Sequence, residues 1–283
     1  MQSRNEPGLR EFCRQILLEG SLAAKLRNPP GKLRAEGAWA PERHARPARA
    51  AGLEMGSGAP RLPSPGSLGD PGARRQVLAR LAHHELQAVE LFAWALLRWP
   101  SVPRELQEGW LQVLREEQRH CRLYLARLEA LGGKLACYAP HSDYFWRHEP
   151  ALDAAGAGPA AFLCAMGLTL EQANLDFSHL YATAFRAGGD EESARVCEEV
   201  QRDEIGHVAL AARWMRRLSP RCDEDDVARY AAAVPFPLSA ARAKGRDFQA
   251  EARRRAGLTP AFIAYVRAAR SSQERRGRKK PRP

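Results

Sequence analysis

The sequence has no long hydrophobic run and no cysteine pattern typical of disulfide-bonded or zinc-binding proteins. The longest apolar stretch, residues 91–97, is far shorter than the roughly 20 residues needed to cross a bilayer. Residues 1–10 are polar and charged, so no secretory signal is predicted. The six cysteines include no Cys-x-x-Cys pair. We therefore expect a soluble, cytoplasmic protein with reduced thiols and no membrane contact.

The central part of the chain also lacks the alternation of polar and apolar residues that marks β-strands. Its apolar residues recur instead at three- and four-residue steps, which predicts amphipathic helices. We place four of them, at about residues 72–98, from a cap at Ser101 to 131, 159–187, and from a cap at Asp190 to 218. A connection of roughly 25 residues separates the second from the third. This pattern predicts an all-α, ferritin-like four-helix bundle, residues 74–218, with a long crossover between helices 2 and 3.

The segments on either side of this core differ from it in composition. Residues 1–26 contain an amphipathic helix, whereas residues 27–73 hold eight Pro and eight Gly in 47 positions. That content is too high for regular structure, and the segment is either a linker or an irregular arm on the bundle. Residues 219–270 are predicted to form two or three accessory helices, and residues 271–283 a disordered basic tail.

The net charge of +11 is carried by these flanks. Residues 74–218 contain 17 basic and 19 acidic residues, whereas residues 267–283 contain 8 basic and 1 acidic. The tail could contact nucleic acid nonspecifically through phosphates. It could equally be a solvated terminus, since it has no aromatic residue for base stacking.

Two triplets of acidic and imidazole side chains recur at matching points of the predicted helices. In each, a glutamate is followed 32 or 33 residues later by Glu-x-x-His: Glu85, Glu117 and His120 in the first triplet, and Glu171, Glu204 and His207 in the second. Residues three apart lie on one face of a helix, so the chain reads as two copies of one hairpin. Four such helices could aim four carboxylates and two imidazoles at one point, which is the ligand set of di-iron bundles.

Charge balance supports a metal at this point. Four buried carboxylates without counter-charge would be costly, and two divalent cations would neutralise them. Mixed carboxylate and imidazole ligands suit iron, with manganese as an alternative. We predict two iron ions bound by the six residues. The alternative is that each Glu-x-x-His is only a solvated helix face.

Three residues near the predicted ligands each allow two interpretations. Glu116 and Asp203 precede the two Glu-x-x-His motifs, and either could accept a hydrogen bond from the second ring nitrogen of a ligand histidine. They could also be surface acids paired with arginines. Tyr124, one turn after His120, is a candidate catalytic phenol or an ordinary core tyrosine. The second repeat has Ala211 at its place.

Several polar residues and glycines near the motifs resemble site residues without matching the geometry. Glu90 and Asp176 follow the lone glutamates by five residues, about 140° around the helix, so we expect them to make inter-helix polar contacts, as we do for His179. Two histidines beside the first lone glutamate are expected to be partly exposed, and two glycines of the second repeat are expected to allow close helix packing: His83, His84, Gly167 and Gly206.

The sequence from 83 to 97, with Glu-Glu-Gln-Arg-His at 116–120 and Asp-Glu-Ile-Gly-His at 203–207, resembles a bacterial family of ferritin-like proteins. That family is known as domain of unknown function 455, and the resemblance covers roughly residues 8–270. It implies a ferritin-like four-helix core with a dinuclear iron-type site. More distantly, the paired helices are similar to the di-iron monooxygenases and tRNA hydroxylases of the ferritin-like superfamily. Gly206 departs from the Arg that many monooxygenases carry before the histidine.

These observations favour an oxidoreductase that activates O₂ or peroxide to oxidise or hydroxylate a small-molecule substrate. Neither the substrate nor the electron donor can be read from the residues. A ferritin-like protein that stores metal without turnover is one alternative. An RNA-modifying monooxygenase, docked through the basic flanks, is another.

Overall fold

The structure is a computed structural model that describes residues 8–29, 33, 39–56, 58–154, 156, 158–219 and 225–270. Regular structure in these ranges is helical, and their only β pairing is an isolated bridge between Met55 and His141. The all-α prediction is therefore confirmed for the described residues, while the four-helix bundle arrangement stays a prediction. No helix among them is long and apolar enough to span a bilayer. The predicted basic tail, 271–283, lies outside the described residues.

The chain divides into two compact units. Unit 1 comprises residues 1–153 and 184–196, and unit 2 comprises residues 154–183 and 197–283. Unit 1 contains five helices in its described part before residue 154: α1 (Leu9–Leu18), α2 (Leu22–Lys25), α3 (Pro71–Arg98), α4 (Arg104–Ala130) and α5 (Glu149–Leu152). The long helices α3 and α4 pack against each other as the predicted first hairpin.

Local signals set the ends of α3 and α4. The Asp70 carboxylate accepts a hydrogen bond from Ala73 N at 2.7 Å, and this cap starts α3. Helix α4 starts after Pro103, so the predicted cap at Ser101 is wrong. A residue before proline is pushed out of the helical region, which keeps residues 101–102 out of the helix. Gly132, at φ +76°, ends α4 as expected.

The described part of the Pro- and Gly-rich segment follows the surface of α1 and α3. Its backbone donates hydrogen bonds from Glu42 to Leu97 O at 3.0 Å and from Ala48 to Leu17 O at 2.7 Å. Arg80 of α3 donates to Pro60 O at 2.6 Å. These bonds satisfy backbone groups that no regular element pairs.

Unit 2 begins with a helix that changes pitch. Residues 159–187 are helical throughout, as predicted, but they divide into α6 (Pro159–Ala165), a π-helix (Met166–Glu171) and α7 (Gln172–Ala187). Helix α8 (Glu191–Leu218) follows its predicted cap, where Asp190 Oδ1 accepts from Ser193 N at 3.0 Å. Three more α-helices confirm the predicted accessory helices: α9 (Asp226–Ala233), α10 (Ala250–Arg255) and α11 (Pro260–Ala268).

Candidate metal centre

The first predicted triplet is buried in unit 1. Glu85 on α3 is 4% exposed, and Glu117 and His120 on α4 are fully buried. His120 Nδ1 lies 3.5 Å from Glu117 Oε2, so the Glu-x-x-His spacing brings an imidazole nitrogen and a carboxylate together. A solvated helix face is thereby excluded for this motif, because solvated side chains would be exposed.

The second triplet is buried in unit 2. Glu171, Glu204 and His207 are at most 3% exposed. His207 Nδ1 lies 3.3 Å from Glu204 Oε2 and 3.8 Å from Glu171 Oε2. The same ring nitrogen therefore faces a carboxylate in both triplets, which leaves Nε2 of each ring for other contacts.

Each unit contains a cluster of three side chains that could hold a metal ion. In unit 1 the ligand atoms of Glu85, Glu117 and His120 lie within 4.8 Å of one another, and in unit 2 those of Glu171, Glu204 and His207 do so. Every predicted metal ligand is therefore part of a cluster within its own unit.

The surroundings of the Glu171 carboxylate indicate whether these residues fit a cation. Neither of its carboxylate oxygens accepts a hydrogen bond from any residue that the structure describes. A buried carboxylate that has no hydrogen-bond donor is costly, and such groups are normally neutralised by a proton, a paired charge or a metal. The oxygen-rich ligand set, with one imidazole for every two carboxylates, matches iron or manganese.

The backbone that carries Glu171 is a π-helix, and Glu171 is its last residue. Inside it, Thr169 Oγ1 donates a hydrogen bond to Cys164 O at 2.7 Å. Single π turns are rare and occur frequently at functional sites. Glu85, at the matching point of the first repeat, lies within regular α-helix.

The two glycines of the second repeat differ. A Cβ on Gly167 would lie 2.2 Å from the Cβ of Ala211, so close helix packing is confirmed there. A Cβ on Gly206 would meet no atom within 4 Å, and Gly206 is exposed. The close-packing expectation is therefore wrong for Gly206, which lies on the outer face of α8.

Asn174 is a site residue that sequence reasoning missed. Its Nδ2 donates to Glu204 Oε1 at 3.1 Å, and it lies on the turn after Glu171. A hydrogen-bond donor at this place holds the carboxylate in one orientation. Its sequence signal was a polar residue three positions after a predicted ligand, a spacing that places both on one helix face.

Glu90 makes polar contacts, as predicted. It is fully buried, and its oxygens lie 2.8 Å from Lys25 Nζ and 2.5 Å from an Arg49 guanidinium nitrogen. Trp146 Nε1 donates to it at 2.9 Å. Burial lowers the pKa of Lys25, although Glu90 opposes that shift. Glu90 therefore joins α3 to α2, the arm and the crossover.

Asp176 and His179 also make polar contacts, as predicted. Both guanidinium nitrogens of Arg253 donate to the Asp176 carboxylate, at 2.6 and 2.9 Å, and both side chains are fully buried. The backbone N–H groups of Gly245 and Gln249 donate to the same carboxylate. His179 pairs with Asp247 near the surface at 3.3 Å.

His83 is fully buried, so the prediction that it is partly exposed is wrong. Its Nε2 lies 3.3 Å from an Arg49 guanidinium nitrogen, and its ring stacks on His141 with centroids 4.3 Å apart. Burial first, and the Arg49 charge second, hold the pKa of His83 well below its usual value. His84 is half-buried, as predicted, and burial lowers its pKa to about 3. The covering residues come from the arm and the crossover, which local sequence does not reveal.

The remaining predicted residues are placed near the triplets, and their roles stay predictions. Tyr124 is buried on α4, one turn after His120. Glu116 and Asp203 are half-buried. Gln112 Nε2 donates to Glu116 Oε1 at 2.7 Å.

Comparison with known proteins gives a family but no activity. The family described as "Protein of unknown function (DUF455)" matches residues 14–264. The chain is also similar to an uncharacterized protein of Haemophilus influenzae, with 28% identity over 153 residues. That match covers 51% of each chain, so this chain spans about half the length of the curated relative. No solved structure matches the chain.

Proposed function

The chain belongs to the DUF455 family, and we propose that it is a ferritin-like dinuclear metal protein that activates O₂ or peroxide to oxidise a small substrate. One observation carries this proposal: in each unit, two buried glutamates and one buried histidine bring their ligand atoms within 4.8 Å of one another. Iron is the metal proposed first, and manganese fits the same ligands.

Each cluster would hold one of the two ions. Glu85, Glu117 and His120 would bind the first ion, and Glu171, Glu204 and His207 the second. Two divalent cations would cancel the four carboxylate charges, so each cluster would be neutral in its buried surroundings.

Bound ferrous ions would supply the two electrons that reduction of O₂ to the peroxide level requires. The protein's own contribution is to hold the carboxylates at fixed positions and to exclude bulk water, since no ligand is more than 4% exposed. We propose that Glu116 and Asp203 help to orient the histidines. Tyr124 offers a buried phenol one turn from His120, able to donate a proton or a hydrogen bond on that side.

Metal loading tests this function directly. Purified protein would be titrated with Fe(II) under anaerobic conditions, the bound iron counted, and O₂ then admitted while near-ultraviolet absorbance is followed. We expect about two ions per chain and an absorbance change that requires O₂. Glu117→Ala and Glu204→Ala should each lose bound iron, because each removes a carboxylate ligand from its cluster.

Matched controls lie on the same two helices. Glu108→Ala on α4 and Glu192→Ala on α8 remove exposed carboxylates and should bind iron as the wild type does. Iron uptake far beyond two ions per chain would favour storage over turnover. Absence of Fe(II) and Mn(II) binding between about pH 6 and 8, where histidine and carboxylate ligands are available, would overturn the proposal.

A further inference from the structure

Tyr230 of α9 connects the accessory helices to the π-helix that carries Glu171. Its side chain is fully buried, and its hydroxyl lies 2.7 Å from Thr169 Oγ1. The single hydroxyl hydrogen of Thr169 is donated to Cys164 O at 2.7 Å. The Tyr230 hydroxyl is therefore the donor in its bond to Thr169, and the bonds run in one direction from phenol to threonine to backbone carbonyl.

This chain of bonds acts on an unusual part of the backbone. Thr169 lies in the middle of the π-helix, two residues before Glu171. A π turn departs from the α-helical hydrogen-bond ladder and needs specific contacts to persist. The contacts here are the threonine bond to Cys164 O and the close approach of Gly167 to Ala211.

Tyr230 itself is held at several points. Asp225 caps α9 by accepting from Ala228 N at 2.7 Å. Asp226, at the start of the same helix, accepts three hydrogen bonds from two guanidinium nitrogens of Arg216 of α8, at 2.6–3.1 Å. The Tyr230 ring packs edge-on against Phe262 of α11, with centroids 5.3 Å apart. The phenol is therefore a rigid donor, which is the property that a positioning residue requires.

We propose that Tyr230 is a positioning residue for Glu171. Its hydrogen bond to Thr169 fixes the π turn, and the π turn sets the direction in which the Glu171 carboxylate points. The proposal depends on the proposed function only for the identity of what Glu171 binds. It assigns to the accessory region a part in building the metal centre.

The central variant is Tyr230→Phe, which keeps the ring and its packing and removes only the donor. Thr169→Val removes the acceptor at nearly constant volume, and Thr169→Ser restores it. Tyr265→Phe is the matched control, because Tyr265 is half-buried and its ring lies 6.4 Å from that of Tyr230. Mn(II) binding would be followed by electron paramagnetic resonance, and amide hydrogen exchange would be measured on the metal-free protein.

We expect Tyr230→Phe to weaken binding of one of the two ions by up to about tenfold, the range of a single hydrogen bond. Thr169→Val should weaken it at least as much, because it also removes the bond to Cys164 O. Thr169→Ser and Tyr265→Phe should bind as the wild type does. The double variant should bind no more weakly than Thr169→Val alone, because that substitution already removes the bond to Tyr230. In the metal-free protein, amides of residues 166–172 should exchange faster in Tyr230→Phe.

Three outcomes overturn the inference. In the first, the wild type binds two ions and Tyr230→Phe binds both equally well, which leaves the proposed function intact. In the second, Tyr230→Phe lowers the melting temperature without changing exchange at residues 166–172, so that the bond only stabilises the fold. In the third, the wild type binds no metal, which removes the proposed function together with the role assigned to Glu171.

Discussion

The two halves of the proposed metal centre have the same types of ligand residue and differ in what surrounds them. Each half has a lone glutamate, a Glu-x-x-His motif, and a histidine whose Nδ1 faces a carboxylate. Only the second half has a π-helix, and it ends at the lone glutamate. A repeated ligand pattern therefore does not imply a repeated environment, and the two metal positions are expected to differ in affinity.

The likeness extends to a buried acid in each half. Glu90 follows Glu85 by five residues, and Asp176 follows Glu171 by five. Glu90 is neutralised by Lys25 and Arg49 from the N-terminal segment, and Asp176 by Arg253 from the C-terminal helices. The flanking segments thus supply the counter-charges at equivalent points of the repeat.

The largest effect should follow from removing Arg253, the basic residue that pairs with Asp176. Arg253→Met leaves Asp176 buried without its ion pair, and the free energy of unfolding should fall by about 3–5 kcal/mol. Arg49→Met should cost less, because Lys25 still neutralises Glu90. Urea unfolding measures both, with exposed Arg254→Met as the control. Equal losses at the two sites would contradict the comparison.

Substituting the two glycines of the second half should change the free energy of unfolding by less, and with opposite signs at the two positions. Gly167→Ala places a methyl group against Ala211 and should destabilise the protein by roughly 1–3 kcal/mol. Gly206→Ala meets open space on an exposed helix and should stabilise it by about 0.5–1 kcal/mol. Thermal unfolding of the two variants checks this. A stabilised Gly167→Ala would show that the helices do not approach closely there.

A third buried acid, Glu149, contrasts with Glu90 because no basic side chain in the part of the chain that the structure describes forms an ion pair with it. Burial first, and the Asp153 carboxylate second, raise its pKa to about 7. The folded state therefore binds this proton more tightly than the unfolded state, so the stability that it contributes is present at low pH and lost as pH rises towards 7.

Glu149→Gln should remove this pH dependence. Relative to the wild type, the variant should gain on the order of 1–2 kcal/mol between pH 5 and pH 8. Urea unfolding at both pH values gives the difference, and Glu108→Gln, on the exposed face of α4, serves as the control. A constant difference between variant and wild type would mean that Glu149 keeps its ordinary pKa.

Substitution of Asn174 tests the asymmetry at the ligands. Asn174 donates to Glu204, and the matching position of the first repeat is Ala88. Asn174→Ala should therefore make the halves more alike, with one ion bound several-fold more weakly through loss of roughly 1 kcal/mol. Mn(II) titration measures this, and identical binding isotherms for variant and wild type would exclude a role for Asn174.

Local patterns in the sequence determined which residues form helices and which side chains share a helix face. The Asp190 cap and the Gly132 helix end were readable because they depend on neighbours within a few residues. The two triplets were readable because helix periodicity places residues three apart together. The assignment of these residues as metal ligands remains a prediction that metal binding has to test.

Tertiary structure alone decided the rest. The partner of Asp176 lies 77 residues away in Arg253, and the hydroxyl that bonds Thr169 lies 61 residues away in Tyr230. His83 is contacted by Arg49 of the arm, 34 residues before it. None of these contacts leaves a periodic trace, because each joins one residue to one distant partner. Periodicity reports the face on which a residue lies, whereas packing between distant segments decides what that face meets.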